Sequence, residues 1–454
     1  MIPWETTARI ATLAIVMITL LYNGPLVVMG VLFARRSDGS LGSQLVLDGQ
    51  PPAALPAGWS VFVLVPCLNE ERVISHTVRG LLASQPGTRV IVVDDGSDDA
   101  TARRAMSAGA GRITVVTRTL PEARLGKGAA LNTGLRCVRR RVECEGLDPA
   151  RVLVCVLDAD GRMTPGAASQ VVPLFGVPTV GGAQLAVRIR GRGHGALRLQ
   201  DLEFWGLSAM NQFGRVSTGS VSMGGNGQFT RLSALDTIGE QPWSDSLTED
   251  LDLGISLAVH GWTVTSTTGA YVSQQGLTDP RRLLRQRTRW FQGHMSAVKR
   301  LPELWAGSRA TPWARVELTC YLLNPYLVTL PWSVVQQYVL FRIVGGHGAG
   351  LFTLPSGPLW LQVLGGIGWY ALSSVGYLAL ALLYWRRTGD LPIWKALLYS
   401  HAFLLWIYVS FIAAWRAAWR MAIRRKGWIK SERTEEAAVA TARAVVPPVT
   451  RGAR

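Results

Sequence analysis

The sequence predicts an α/β domain with a mainly parallel sheet, joined at both ends to membrane-spanning helices. Three observations carry that expectation. Short apolar runs rich in β-branched residues recur at 61–65, 90–93, 113–116 and 152–157, with helix-like stretches between some of them, the pattern of strands covered on both faces. Four uncharged, mostly apolar runs, 10–34, 318–341, 343–385 and 396–415, are each long enough for a span of about 20 residues. Charged residues make up only 17% of the 454, against about 25% in soluble domains.

The chain is long enough for about three domain-sized units, so a core forms without a disulfide or metal staple. The five cysteines (67, 137, 144, 155, 320) are odd in number and lack metal-ligand spacing, which reads as a reduced, cytosol-facing catalytic part. The net charge is +17, and residues 386–454 hold 13 Lys/Arg against 4 Asp/Glu. Basic residues beside apolar runs fit an anionic lipid surface, not nucleic acid.

In chain order, residues 1–36 form an N-terminal anchor. Its apolar run is longer than the usual signal-peptide core of about 7–15 residues, and Arg35-Arg36 after it mark the cytosolic side. Residues 37–58, rich in Gly, Pro, Ser and Ala, form a linker. Residues 59–310 form the α/β domain, where polar residues at the carboxyl ends of strands are the place to seek function. Residues 311–423 form the C-terminal transmembrane and interfacial helices. Asn324-Pro325 and Pro331 break the first of these runs. Residues 424–454 are a basic cytosolic tail. Three simple C-terminal spans would leave that tail outside, against its Arg and Lys content, so the number of spans stays open.

Several segments carry chemistry. VVDDGSDDAT (92–101) ends a strand in Asp94 and Asp95, acceptors for a base N–H or ribose hydroxyls, although Asp, Gly and Ser also make ordinary turns. VCVLDADGRM (154–163) ends another in Asp158 and Asp160. Their i, i+2 spacing sets both carboxylates on one side of an extended segment, a site for a hard divalent ion that also binds phosphates. In SDSLTEDLDLGISLAVHGW (244–262), Asp245, Glu249, Asp250 and Asp252 crowd a helix start. Capping uses one or two acids; a carboxylate in a like-charge cluster has a raised pKa that suits a general base. RRLLRQRTRWFQG (281–293) holds five arginines within nine residues, with Gln286 and Trp290. Residues 282, 285, 286, 289, 290 and 293 share a helical face of phosphate-binding forks and an indole; the plainer reading is a basic helix on the membrane surface. Finally, LGKGAALNTGL (125–135) sets Lys127 between glycines before a helix, without being a Walker A sequence.

In this order the segments resemble the membrane-embedded family 2 glycosyltransferases, which include synthases of cellulose, hyaluronan, chitin and poly-N-acetylglucosamine. The matching pieces are VPCLNEE (65–71), DDGS (94–97), GKGAALN (126–132), DAD (158–160), GGNGQF (224–229), TED (248–250) and QRTRW (286–290), and WIKSER (428–433) looks like the family's gating segment, with Ser431 where Thr is common. The resemblance implies a GT-A, Rossmann-like fold and an inverting mechanism. By it, Asp94 and Asp95 bind the nucleoside and Asp158 the nucleotide. Asp160 holds Mg2+ or Mn2+, and Asp250 is the general base. Lys127, Gln286 and Arg289 belong to the nucleotide-sugar site, and Trp290 and Glu249 to the acceptor site.

The leading expectation is a multi-pass protein of the bacterial inner membrane with a cytosolic catalytic domain. It would move a sugar from a nucleotide-sugar donor, a UDP-sugar first, onto a growing β-linked polysaccharide, with room for accessory export subunits. The alternative is a single-transfer synthase acting on a lipid such as diacylglycerol, because some glycolipid synthases share the GGNG, TED and QRxRW motifs and the C-terminal spans are few. A catalytically dead scaffold is disfavoured by the full set of carboxylates.

Overall fold

In a computed structural model, residues 4–38, 53–344 and 358–425 are described. The α/β domain is built on an eight-stranded sheet: β1 (Ser60–Cys67), β2 (Arg89–Asp94), β3 (Ile113–Thr117), β4 (Val152–Val156), β5 (Arg162–Met163), β6 (Val180–Arg190), β7 (Gln228–Arg231) and β8 (Thr263–Gln275). Their order is β3-β2-β1-β4-β7-β6-β8-β5. The first half is parallel, as expected, with β1 between β2 and β4 and β3 beyond β2. The second half is mixed, because β7 runs antiparallel to both β4 and β6 while β6 and β8 pair in parallel.

Alternate residues of β1 explain the two-sided core. Val61, Val63 and Val65 face the helices Ile74–Ser84 and Thr101–Gly109 through Ile74, Val78, Leu81 and Ala105. Phe62 and Leu64 face the opposite way, onto Leu131 and Leu135 of the Lys127–Glu145 helix and Leu253 and Leu257 of the Glu249–Val259 helix. The period of two sends successive side chains to opposite faces. Both are apolar here because both are covered, so the strands read as continuous apolar runs.

A third core fastens the domain to the long helices. Leu202, Trp205, Met210 and Phe213 pack with Ala34 of the Trp4–Asp38 helix, Leu380 and Tyr384 of the Leu359–Thr388 helix, and Phe403 of the Ile393–Ala422 helix. Two glycines let the first helix come close to the Ala209–Arg215 helix. A Cβ on Gly30 would lie 2.1 Å from the Met210 carbonyl oxygen, and one on Gly214 would lie 2.1 Å from that of Leu26.

Among the described residues, three helices are long and apolar enough to cross a membrane: Met17–Arg36, Pro312–Tyr338 and Ile393–Ala422. The irregularity expected at Asn324-Pro325 takes the form of a π-helical segment, Pro325–Thr329, between two α-helical stretches. Proline has no N–H for the helical ladder and crowds the preceding turn, and a widened turn accommodates it. Most of the linker and the WIKSER segment with Ser431 lie outside the described residues.

Candidate active site

The acidic motifs converge beyond the carboxyl ends of the strands. Asp94 is the last residue of β2, and its Oδ1 accepts from the Ser97 N–H at 3.3 Å. Asp95 donates its own N–H to the Cys67 carbonyl at 2.8 Å. Its Oδ1 accepts from the Arg118 guanidinium, and from the Arg124 N–H at 3.0 Å. Burial raises the Asp95 pKa, with the Arg124 N–H and Arg118 opposing it. The loop after β1 is laced to the same rim: Asn69 N–H donates to Ser97 Oγ at 2.9 Å, and Glu70 N–H to Thr101 Oγ1 at 2.8 Å.

The DAD segment departs from the sequence expectation. β4 ends at Val156, so Asp158 and Asp160 lie past the strand in a turn closed by Gly161 N–H to the Asp158 carbonyl at 2.7 Å. The pleat therefore does not align their carboxylates, and the two have different partners. Asp158 Oδ1 is 2.6 Å from Lys127 Nζ. Asp160 is almost fully buried; its Oδ2 accepts from the Gln275 N–H at 3.1 Å, and its carbonyl accepts from Arg190 at 2.7 Å.

Lys127 links the motifs. It opens its helix after Gly126, whose φ of +118° favours glycine. Its ammonium donates to Asp158 and to the Gly225 carbonyl, 2.9 Å away, and stands 3.8 Å from Glu249 Oε1. Its helix sits against the TED segment because Gly128 has no side chain: a Cβ there would be 2.2 Å from the Ser244 carbonyl oxygen. Burial alone would lower the Lys127 pKa, but Asp158, Glu249 and Asp250 outweigh it and hold the ammonium charged.

The four acids of the TED region separate. Asp245 is exposed, and Asp252 pairs with Arg300 at 2.7 Å. Glu249 and Asp250, in the first turn of their helix, face Lys127. Burial pushes both carboxyls up; Lys127 and Arg289 pull both back. Gly225 closes this side, since a Cβ there would be 2.6 Å from Lys127 Nζ and 3.3 Å from Asp250 Oδ2.

The arginine cluster also divides. Asp279 caps the Pro280–Ser296 helix through the Arg281 and Arg282 N–H groups, at 2.7 and 3.1 Å. Arg281 and Arg285 are exposed. Arg289 donates to the Leu247 carbonyl at 3.0 Å, beside the TED helix. Arg287 turns away and is buried in an ion pair with Glu203 at 2.8 Å. Gln286 and Trp290 are half-buried.

Other residues hold this rim without having stood out in the sequence. Gln184 Oε1 accepts from the Gly224 N–H at 2.8 Å, and Gln184 Nε2 donates to the Asn226 carbonyl at 2.8 Å. Asn226 Oδ1 in turn accepts from the Asp158 N–H at 3.2 Å. Asn226 was visible inside GGNG; Gln184, Arg190 and Gln275 are polar residues on strands, with no local signal. Among the described residues no three His, Cys, Asp or Glu side chains form a metal cage. Mg2+ and Mn2+ need no such cage: they bind through one or two carboxylates and complete their shell with phosphate oxygens and water.

A family model described as glycosyltransferase like family 2 matches residues 56–293, more than half of the chain. The chain belongs to this family. The beta-monoglucosyldiacylglycerol synthase of Synechocystis sp. is 32% identical over 297 residues, covering 62% of this chain and 57% of that protein. The enzyme of the same name from Trichormus variabilis is 29% identical over 326 residues, covering 69% and 62%. The chain thus spans about three-fifths of the length of these relatives. Among solved structures, a mannosyltransferase from Pyrobaculum calidifontis in complex with GDP-Man and Mn2+ superposes with a TM-score of 0.55 at 16% identity, covering 92% of this chain and 100% of that one. The family 2 chain therefore has the GT-A fold.

Proposed function

We propose that this chain is a membrane-bound glucosyltransferase that moves glucose from a nucleotide diphosphate sugar, UDP-glucose first, to the hydroxyl of a diacylglycerol. The observation that carries the reading is the Lys127-centred cluster: Asp158 on the nucleotide side and Glu249 and Asp250 on the acceptor side meet one ammonium. The relatives' names support a lipid acceptor. The growing polysaccharide, first among the sequence expectations, has no such support.

Asp94 and Asp95 line the nucleoside rim, and Asp158 with Asp160 would hold the divalent ion. When bound, Mg2+ or Mn2+ neutralises charge on the leaving diphosphate. Lys127 and Arg289 add positive charge there, with Gln286 on the same helix face. Asp250 takes the proton of the acceptor hydroxyl, whose oxygen attacks the anomeric carbon in line with the departing diphosphate. One displacement inverts that carbon and requires no carboxylate nucleophile, unlike retaining glycosidases. Glu249 and Trp290 bound the acceptor side.

Membranes bearing the chain are incubated with labelled UDP-glucose and diacylglycerol. The expected product is a chloroform-extractable glycolipid. A high-mass, alkali-stable product would return the assignment to a polysaccharide synthase, and background incorporation with every nucleotide sugar tried would sink the transferase reading.

A further inference from the structure

We propose that Glu203 is a positioning residue for the acceptor, acting through Arg287 to set the Trp290 indole. This rests on the reading of Trp290 as an acceptor contact. Glu203 lies in a π-helical segment, Leu202–Ser208, directly after the Gly195–Asp201 helix. Such widened turns are rare and are frequent at functional sites. Leu202, Trp205 and Gly206 of the segment are buried. Glu203 and Phe204 contact the Pro280–Ser296 helix. Glu203 Oε2 accepts from Arg287 Nη2 at 2.8 Å and from the Trp406 indole N–H at 3.2 Å.

The Arg287 guanidinium is the joint. It stands 4.6 Å from the centre of the Trp290 ring and 5.2 Å from that of Phe204. Phe204 meets Trp290 edge-on, with centroids 6.0 Å apart and planes at 86°. Trp290 is thus fixed by two neighbours: one belongs to the Glu203 segment and the other is held by the Glu203 carboxylate. Arg287 and Arg289 are two apart and so point to different sides of the helix; Arg289 reaches Leu247, and Arg287 is directed away from the donor site.

Burying an ion pair carries a desolvation cost that apolar side chains of similar volume avoid. Packing alone does not account for the pair. What a guanidinium adds is directional attraction to an aromatic face, stronger when dry. Glu203 compensates the buried guanidinium, since burial lowers the Arg287 pKa and Glu203 opposes it.

The test uses the full chain in detergent, with UDP-glucose and dioleoylglycerol in mixed micelles. KM is measured for each substrate, and thermal unfolding is followed in parallel. Glu203→Gln should raise the dioleoylglycerol KM about tenfold, between the scale of an exposed and a fully desolvated cation–π contact, and leave the UDP-glucose KM within about twofold. The double variant Glu203→Met/Arg287→Met should return the unfolding temperature to near wild type while the acceptor KM stays high. Trp290→Ala should also raise the acceptor KM, and adding Glu203→Gln to it should change little further.

If the Met/Met variant restores acceptor KM together with stability, the pair only packs and the proposal falls. It falls equally if Glu203→Gln moves both KM values together, or moves neither while Trp290→Ala raises the acceptor KM. A wild type that does not glucosylate dioleoylglycerol, or a Trp290→Ala variant with unchanged acceptor KM, removes the acceptor reading itself and this assignment with it.

Discussion

Asp250 and Glu249 are adjacent acids in the first turn of one helix, and both look onto the Lys127 ammonium. Burial raises both carboxyls, and Lys127 and Arg289 limit the rise. A general base works only when ionised, so activity should fall as pH drops through the raised pKa. The acid limb of kcat/KM should therefore lie above the ordinary carboxylate value of about 4. Lys127→Met removes a charge that favours ionisation and should move the limb to higher pH; a limb that stays put would detach Lys127 from the base. Asp250→Asn should lower turnover about 10²–10⁴-fold and leave nucleotide binding by calorimetry intact. Near-wild-type turnover would exclude Asp250 as the base. Chelation should stop transfer, and added Mg2+ or Mn2+ should restore it; in Asp160→Ala neither ion should rescue, and rescue there would remove Asp160 from the metal site. Asp160 was legible at the end of an apolar run, and Glu249 and Asp250 in an acid cluster at a helix start, whereas Lys127 between its glycines stood out only through the order of the motifs. Their contacts were not legible: no local pattern in the sequence links Lys127 to Asp158 and Glu249.

At the scale of elements, β1 to β4 were readable almost to the residue, because parallel strands covered on both faces carry unbroken apolar runs. β6 and β8 were not. β6 begins Val-Gly-Gly and ends Arg-Ile-Arg, and β8 alternates buried and half-buried positions with many Thr and Ser. β6 pairs with β7, which lies between it and β4, and β8 pairs with the other edge of β6, a tertiary arrangement. The i, i+2 argument for Asp158 and Asp160 failed for a related reason: it assumed an extended segment where the chain turns. The close crossing of the Trp4–Asp38 and Ala209–Arg215 helices supplies a test of docking. Gly30→Val or Gly214→Val drives a side chain into a facing carbonyl and should cost about 1–3 kcal/mol or more, read as a lower unfolding temperature in detergent. Gly24→Ala, where a Cβ meets nothing within 4 Å, should be neutral or slightly stabilising. Equal effects at the three positions would mean that the first helix does not dock this way.

For the whole molecule, few charges and a strong positive balance pointed to a membrane, and three described helices have the length and apolarity to cross one. Membranes washed in high salt or alkaline carbonate should retain the chain, and detergent should release it. Release by salt alone would mean charge-driven surface binding, which salt screens.

The basic excess has more than one role. Arg289 faces the TED helix, Arg287 is locked on Glu203, and Arg281 and Arg285 are exposed. By itself the sequence determined the fold class, the family resemblance and the candidate acids of the site. Those follow from local composition and motif order, which chain-adjacent residues express directly. Only the tertiary structure decided how the neighbouring arginines are partnered, Arg289 on Leu247 and Arg287 on Glu203, that one lysine joins two distant acidic motifs, and that Glu203 stands behind Trp290. Each of these depends on contacts between residues 31 to more than 120 apart in the chain, where sequence proximity carries no information and packing does.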